Sequence, residues 1–136
     1  MAFWTLSKVF SAFGQLDKFM YHPLVEKLVR VELREGTILW QQGDAPDGLY
    51  IIESGVLRAS YGFQDRAQSD SLDECMVGGT LAGELSALSN LPRNATVTIE
   101  KDAILWKLSI TALQQLQTEY PTLAQDFVRL VLKGLC

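Results

Sequence analysis

The spacing of hydrophobic residues divides the 136-residue chain into a helical start, a β-rich middle and a helical end. Near the start, apolar residues recur every three or four positions, which predicts an apolar stripe along one face of a helix. These residues are Phe3, Leu6, Phe10 and Phe13. A further apolar group follows Pro23, a residue type that favours the first turn of a helix. We therefore expect residues 1–30 to form a helical connector.

From residue 31 the pattern changes to short apolar or alternating segments separated by glycine and aspartate, such as VEL, TILW, LYIIE and VLRASY. This spacing is typical of an all-β sandwich or barrel. We expect residues 31–108 to form a jelly-roll-like β-roll.

Two tight turns are predicted inside the roll. The sequence ESGV predicts a hairpin between segments 49–53 and 56–61. The polar pair of Lys101 and Asp102 predicts a second turn, between strands at 95–100 and 103–108.

After Leu108 the helical spacing returns. Ser109 predicts the N-cap of one helix, and Pro121 separates that helix from a second. Four apolar residues share one face of the second helix: Leu123, Phe127, Leu130 and Val131. Residues 109–136 are thus expected to be two C-terminal helices, and the predicted fold class is mainly β with flanking helices.

Composition narrows the choice of function classes. Hydrophobic residues make up 48% of the chain and charged residues 21%, which favours a packed core over disorder. The formal net charge of −4 argues against a nucleic-acid partner, since such a surface needs clustered lysine and arginine. No apolar run approaches the ~20 residues that cross a bilayer, and the start of the chain lacks a secretory-signal pattern. We expect no direct membrane insertion and a cytoplasmic location.

The sequence contains too few candidate residues for a metal centre or a histidine-based hydrolytic site. His22 is the only histidine, so neither a multi-histidine metal centre nor a histidine-based catalytic set is expected. The chain is therefore predicted not to be an enzyme and to hold no metal. In QGDAPDG, Asp44 and Asp47 are interpreted as turn formers, and the neighbouring Trp40 as a core residue.

The stretch GELSALSNLPRNATV, residues 83–97, places one acid and one base among small and apolar residues. Residues 84–88 can form about one turn of helix, whose free N–H groups favour an anion. The Arg93 guanidinium can hydrogen-bond two phosphate oxygens, and the Glu84 carboxylate can accept hydroxyl groups. Together they suit a ribose phosphate. The alternative is a purely structural role, in which Glu84 and Arg93 form ion pairs with each other or with other groups.

The same stretch closely resembles the phosphate-binding cassette of the cyclic-nucleotide-binding domain family, which typically reads G-E-L-A-L, four further residues and P-R-A-A-T-V. Upstream, GTILWQQGDAPDGLYIIESGVLRA is similar to the opening strands of that family. The resemblance implies a β-roll flanked by helices, a cassette at residues 79–97, and a sensor whose ligand is cAMP or cGMP. The alternative is a degenerate domain of the same fold that acts only through protein contacts.

The resemblance also implies roles for individual residues. Glu84 would accept the ribose 2′-hydroxyl, and Arg93 would pair with the cyclic phosphate. Gly83, Leu85 and Ala95 would offer backbone groups to the phosphate and the sugar.

Three further residues belong to the implied site. Asn94 follows the arginine, where cAMP readers of the kinase type usually have alanine and cGMP readers threonine. Its amide could contact a guanine edge, bond the phosphate or face away. In the last helix, Phe127 or Leu130 would cover the purine as a lid.

A narrower resemblance concerns the parent protein. The segments TLAGELSALSNLPRNATV, ILWKLS and LQTEYPTLAQDFVRLVLK look like the C-terminal cytosolic domain of sulfate-permease-type (SulP) anion transporters. This resemblance implies that the chain is a regulatory module whose partners are the adjoining domains of a transporter.

Overall fold

A computed structural model describes residues 22–62 and 72–134, which form an antiparallel sheet with helices before and after it in the chain. The elements in chain order are α1 (His22–Lys27), β1 (Val29–Leu33), β2 (Ile38–Trp40), β3 (Gly48–Tyr61), β4 (Leu72–Val77), β5 (Leu81–Ala82), α2 (Glu84–Ser89), β6 (Thr96–Ser109), α3 (Ile110–Glu119) and α4 (Pro121–Gly134). The predicted fold class is confirmed. The apolar stripe predicted near the start of the chain lies outside the described residues.

The long strands β3 and β6 form the centre of the sheet. Their register runs from Gly48 opposite Ser109 to Ser60 opposite Thr96. β6 also pairs with β1 and β2, and β3 with β4 and β5. The cassette stretch therefore leaves β5, which lies on β3, and enters β6, so both of its ends are anchored in the centre of the sheet.

The two predicted turns inside the roll are wrong. Segments 49–53 and 56–61 form one continuous strand, β3, and the two later segments merge in β6. Gly55, at the centre of the predicted hairpin, has φ 100, and register shifts around it mark a bulge. A Cβ at Gly55 would lie 2.5 Å from the carbonyl oxygen of Asp102. The glycine therefore lets two strands approach closely, and it does not reverse the chain.

Two hydrophobic clusters lie on opposite faces of β3, because side chains along a strand alternate between faces. The first packs the helices against the sheet and includes Leu24, Leu49, Leu108, Leu116 and Phe127. The second fills the inside of the roll and includes Trp40, Tyr50, Leu57, Ala95 and Leu105. The candidate site borders this second cluster.

The C-terminal helices begin as the sequence predicts. Ser109 Oγ accepts a hydrogen bond of 3.0 Å from the backbone N–H of Ala112, which confirms the N-cap. α4 begins at Pro121, and its Phe127 is fully buried in the helix-side cluster. Within the two described ranges, no helix combines the length and apolar character that spanning a bilayer requires.

Candidate functional site

Gly83 shapes the start of the cassette loop. It lies between β5 and α2 with φ 75, a left-handed conformation that favours glycine. A Cβ at this position would clash with the guanidinium of Arg93 and lie 2.7 Å from the ring of Trp40. Glycine is therefore required both by the turn and by the close approach of these two side chains.

Arg93 is the buried cation of the site, with 2% of its surface exposed. Its Nη1 donates to the carbonyl oxygen of Gly83 at 2.8 Å. Its Nη2 donates to the carbonyl oxygen of Gly48 at 2.7 Å and to Asp47 Oδ1 at 3.0 Å. Its Nε is buried and has no hydrogen-bond partner among the described residues. An unsatisfied buried donor of this kind costs about 1–3 kcal/mol. The guanidinium therefore lacks one hydrogen-bond acceptor.

Trp40 lies against the guanidinium. The Cζ atom of Arg93 is 3.8 Å from the centroid of the indole ring, which is the geometry of a cation–π contact. The indole Nε1 donates to the carbonyl oxygen of Ala95 at 3.0 Å. Trp40 is buried as predicted, and it also links the guanidinium to Ala95, the residue directly before β6.

Asp47 has a role that sequence reasoning missed. Besides Arg93, its carboxylate accepts from Lys107 Nζ at 2.8 Å and from the Tyr50 hydroxyl at 3.1 Å. Burial works to raise the pKa of Asp47, but the hydrogen bonds and charge of these partners outweigh it and hold that pKa below its ordinary value. Asp44, by contrast, accepts from the backbone N–H of Gln41, as a turn former does.

Glu84 begins α2 and is 8% exposed. Burial raises the pKa of its carboxyl, as does the negative charge of Glu74, while its own backbone N–H and the charge of Arg93 act in the opposite direction. In the part of the chain that the structure describes, Glu84 and Arg93 form no ion pair, and Arg93 pairs with Asp47. The structural alternative therefore holds for Arg93, which pairs with another acid, and not for a pair between the two cassette charges.

A cavity of about 400 Å³ brings the cassette residues together. This is within the usual size range of small-molecule sites. Six residues predicted for the site line it: Gly83, Glu84, Leu85, Arg93, Asn94 and Ala95. Strands β3 and β4 add residues that the sequence did not single out, among them Tyr61, Glu74 and Met76.

Phe127, one of the two predicted lid residues, is not among the described residues that line this cavity. Phe127 is 0% exposed and packs in the helix-side cluster. Covering a purine would require it to leave that cluster, at a cost of about 1.5–3 kcal/mol. Leu130 lies in α4, but its side chain is outside the described part of the structure. The lid role of both residues stays a prediction.

Within residues 22–62 and 72–134, no group of three or more His, Cys, Asp or Glu is placed to hold a metal ion. The cavity instead combines one guanidinium with two carboxylates and apolar walls. Such a lining can accept an anionic group at Arg93 and hydroxyl or amine donors at the carboxylates.

Comparisons with known proteins agree with this geometry. A family model described as "Cyclic nucleotide-binding domain" matches residues 30–120. The chain is 31% identical over 96 residues to a cAMP-dependent protein kinase regulatory subunit of Mucor circinelloides f. lusitanicus, and the match covers 71% of this chain and 21% of that protein. The chain spans between 21% and 26% of the length of the first curated relatives that it matches.

Solved structures share the fold. A cyclic nucleotide-binding domain from Methylobacillus flagellatus is 21% identical, with a TM-score of 0.84 over 98% of this chain and 75% of that chain. The regulatory domain of Toxoplasma gondii PKA, co-crystallised with cAMP, is 22% identical, with a TM-score of 0.75 over 95% of this chain and 47% of that chain.

Proposed function

Because the chain belongs to the cyclic nucleotide-binding domain family, we propose that it is a regulatory module whose cavity binds cAMP or cGMP. One observation carries the proposal. Arg93 is a buried guanidinium that lines a cavity of about 400 Å³, and its Nε–H lacks an acceptor among the described residues. A cyclic phosphate brings both the missing acceptor and the negative charge.

The phosphate would bind a guanidinium that is already held in place. Three hydrogen bonds from Arg93 to Gly83, Gly48 and Asp47 restrict its side chain before any ligand arrives. A ligand then gains the ion pair without the entropy cost of ordering a free arginine. Asp47 offsets the positive charge only in part, because its carboxylate is shared with Lys107 and its side chain is 55% exposed.

Glu84 would accept the ribose 2′-hydroxyl. Its carboxylate is removed from water, and a hydroxyl donor from the ligand would restore part of the solvation lost on burial. Backbone groups of Gly83, Leu85 and Ala95 lie in the same lining and would contact the phosphate and sugar. Asn94, exposed in the same lining, is close enough to the site for a contact with the ligand.

The site is connected to the C-terminal helices. Ile110, the first residue of α3, donates its backbone N–H to the carbonyl oxygen of Asp47 at 3.1 Å. The carboxylate of the same Asp47 holds Arg93. A ligand that favours one arrangement of this contact would bias the position of the helices, which is what a regulatory module requires.

The proposal extends to the parent protein. The resemblance of residues 80–97 and 116–133 to SulP transporters supports an anion transporter as the attached and regulated partner, on the cytosolic face of a membrane. Sulfate uptake by vesicles that contain the full-length parent protein, measured with and without cyclic nucleotide, tests this part. Equal uptake rates would contradict it.

Calorimetric titration of the chain with cAMP and with cGMP tests the binding proposal. We expect at least one of them to bind, and Arg93→Gln to weaken that binding by at least about tenfold, since a hydrogen bond to a charged group contributes about 1.5–3 kcal/mol. Arg58→Gln is the matched control, because Arg58 pairs with Glu100 on β6 and is not among the cavity-lining residues.

Two results would count against the proposal. Absence of heat and of any thermal shift at millimolar cAMP and cGMP would favour the degenerate domain that acts only through protein contacts. Equal weakening by the Arg93 and Arg58 variants would remove the special role of Arg93.

A further inference from the structure

The register of β4 places a carboxylate on the inside of the roll. Glu74 lies opposite Ala59 on β3, and Met76 lies opposite Leu57. Side chains of directly opposed residues share one face of a sheet. Ala59 and Leu57 are 3% and 0% exposed, so this is the inward face. An inward position on a strand is normally apolar, yet Glu74 is exposed to solvent and lies in the cavity lining, where a ligand can reach its carboxylate.

The Glu74 carboxylate is exposed and keeps most of its hydrogen-bonding capacity for a ligand. Among the described residues its one side-chain partner is the Tyr61 hydroxyl, which donates to Oε1 over a long 3.4 Å. Burial raises the pKa of Tyr61, and the negative charges of Glu74 and then Glu84 add to the effect. The charge of Glu74 also raises the pKa of Glu84. The two carboxylates and the tyrosine therefore share one part of the cavity.

The charged residues of the cavity lining limit which ligands can bind. Among the described lining residues, Arg93 is a cation, and Glu74 and Glu84 are carboxylates. A cyclic nucleotide adds another negative charge. Its binding is more favourable if it also supplies N–H or O–H donors to the carboxylates, because such hydrogen bonds offset the repulsion between like charges.

We propose that Glu74 determines base specificity by accepting hydrogen bonds from guanine, so that the site prefers cGMP to cAMP. This inference rests on the proposed function. In this arrangement the ribose 2′-hydroxyl supplies the donor for Glu84, and the base supplies the donors for Glu74, which lies in the same lining. Guanine carries adjacent donors, N1–H and the N2 amino group, which match the two oxygens of a carboxylate. Adenine has an unprotonated N1 beside a single amino group, and the N1 lone pair repels a carboxylate.

A structural explanation for Glu74 competes with this one. β4 lies at the end of the strand order β1–β6–β3–β4, and an inward charge on an edge strand discourages pairing with another chain. That role does not depend on the base of the ligand. The neighbouring Asp73 projects to the other face, where it accepts from Arg58 Nη1 at 3.2 Å, and it serves as the matched control.

Competition titrations with cGMP, cAMP and cyclic IMP on the wild-type chain, Glu74→Gln and Asp73→Asn test the inference. We expect wild type to bind cGMP at least about tenfold more tightly than cAMP. Glu74→Gln should bring this ratio towards one, since an amide can both donate and accept and so can meet either base. Asp73→Asn should leave the ratio unchanged.

The outcomes separate the two proposals. If wild type binds no cyclic nucleotide, the proposed function fails and the inference with it. If it binds but does not prefer cGMP, or if Glu74→Gln keeps the wild-type ratio, the inference alone is overturned. Should Glu74→Gln fail to fold, the affinity of the wild-type chain for cyclic IMP tests the inference, because cyclic IMP lacks the N2 amino group of cGMP. We expect it to bind at least about fivefold more weakly than cGMP, and equal affinity overturns the inference.

Discussion

Arg93 Nη2 lies 3.0 Å from Asp47 Oδ1, across a sequence separation of 46 residues. The two side chains differ sharply in environment, with 1% of Arg93 exposed and 55% of Asp47. Solvent therefore screens the acid, and an ion pair of this kind contributes no more than about 1 kcal/mol. The carbonyl oxygens of Gly83 and Gly48 are the firmer anchors of the guanidinium, because both belong to backbone fixed by the sheet and the cassette loop.

Asp47→Asn should lower the free energy of unfolding by less than about 1 kcal/mol at neutral pH. The pKa of Asp47 is lowered in the folded chain, so its stabilising contribution is present above the ordinary aspartate pKa of 3.8 and is lost as pH falls through the folded pKa. The variant should lack this acid-dependent loss. Urea denaturation between pH 2 and pH 7 measures it. Asp44→Asn, which removes only a turn contact to Gln41, should keep the wild-type pH dependence.

Glu84→Gln should change the pH dependence with the opposite sign. Burial raises the pKa of Glu84, so the folded chain holds its proton more tightly than the unfolded chain. The contribution of Glu84 to stability is then greatest below the ordinary glutamate pKa of 4.5 and falls as pH rises through the folded pKa. In Glu84→Gln this decrease of stability with rising pH should disappear, and the variant should be more stable than wild type at pH 7. A variant less stable than wild type at pH 7 would contradict the assignment.

Gly83→Ala should destabilise the fold more than Gly43→Ala. Both glycines have positive φ, 75 and 94, so each substitution costs about 1–2 kcal/mol of backbone strain. A Cβ at Gly43 meets no heavy atom within 4 Å, whereas one at Gly83 collides with Arg93 and Trp40. The collision should add about 1–3 kcal/mol and displace the guanidinium. Thermal unfolding and nucleotide titration of both variants check this, and nucleotide binding should survive in Gly43→Ala alone.

Trp40→Phe and Trp40→Leu separate two contributions of the indole. Phenylalanine keeps an aromatic face for Arg93 but loses the hydrogen bond to Ala95, worth about 1 kcal/mol. Leucine also loses the cation–π contact, so we expect it to be about 1–2 kcal/mol less stable than phenylalanine. When both substitutions are made in an Arg93→Gln background, this difference in stability between the Phe and Leu variants should disappear. A gap of the same size without the guanidinium would mean that Trp40 acts through packing only.

Local sequence was sufficient for features that depend on a few neighbouring residues. The apolar spacing and the glycine pattern predicted mainly β structure with flanking helices, and the structure confirms it. The same holds for the helical turn at residues 84–88 and for the Ser109 cap, since a cap needs only a hydroxyl three residues before the N–H that it accepts from.

The sequence around Gly55 was ambiguous, because a glycine flanked by apolar segments is compatible with a tight turn and with a bulge. The decision depends on whether a partner strand passes close by, and here β6 does. Strand pairing therefore decided between two local conformations that are both compatible with residues 53–56.

The amino-acid sequence by itself determined the fold class and the position of a loop that carries Glu84 and Arg93. Tertiary structure alone decided that Asp47, not Glu84, is the acid paired with Arg93, and that Glu74 of β4 joins the same cavity. The physical reason is range. Propensities and caps act within about one turn of chain, whereas contacts between strands depend on a register that is settled only when the whole core packs.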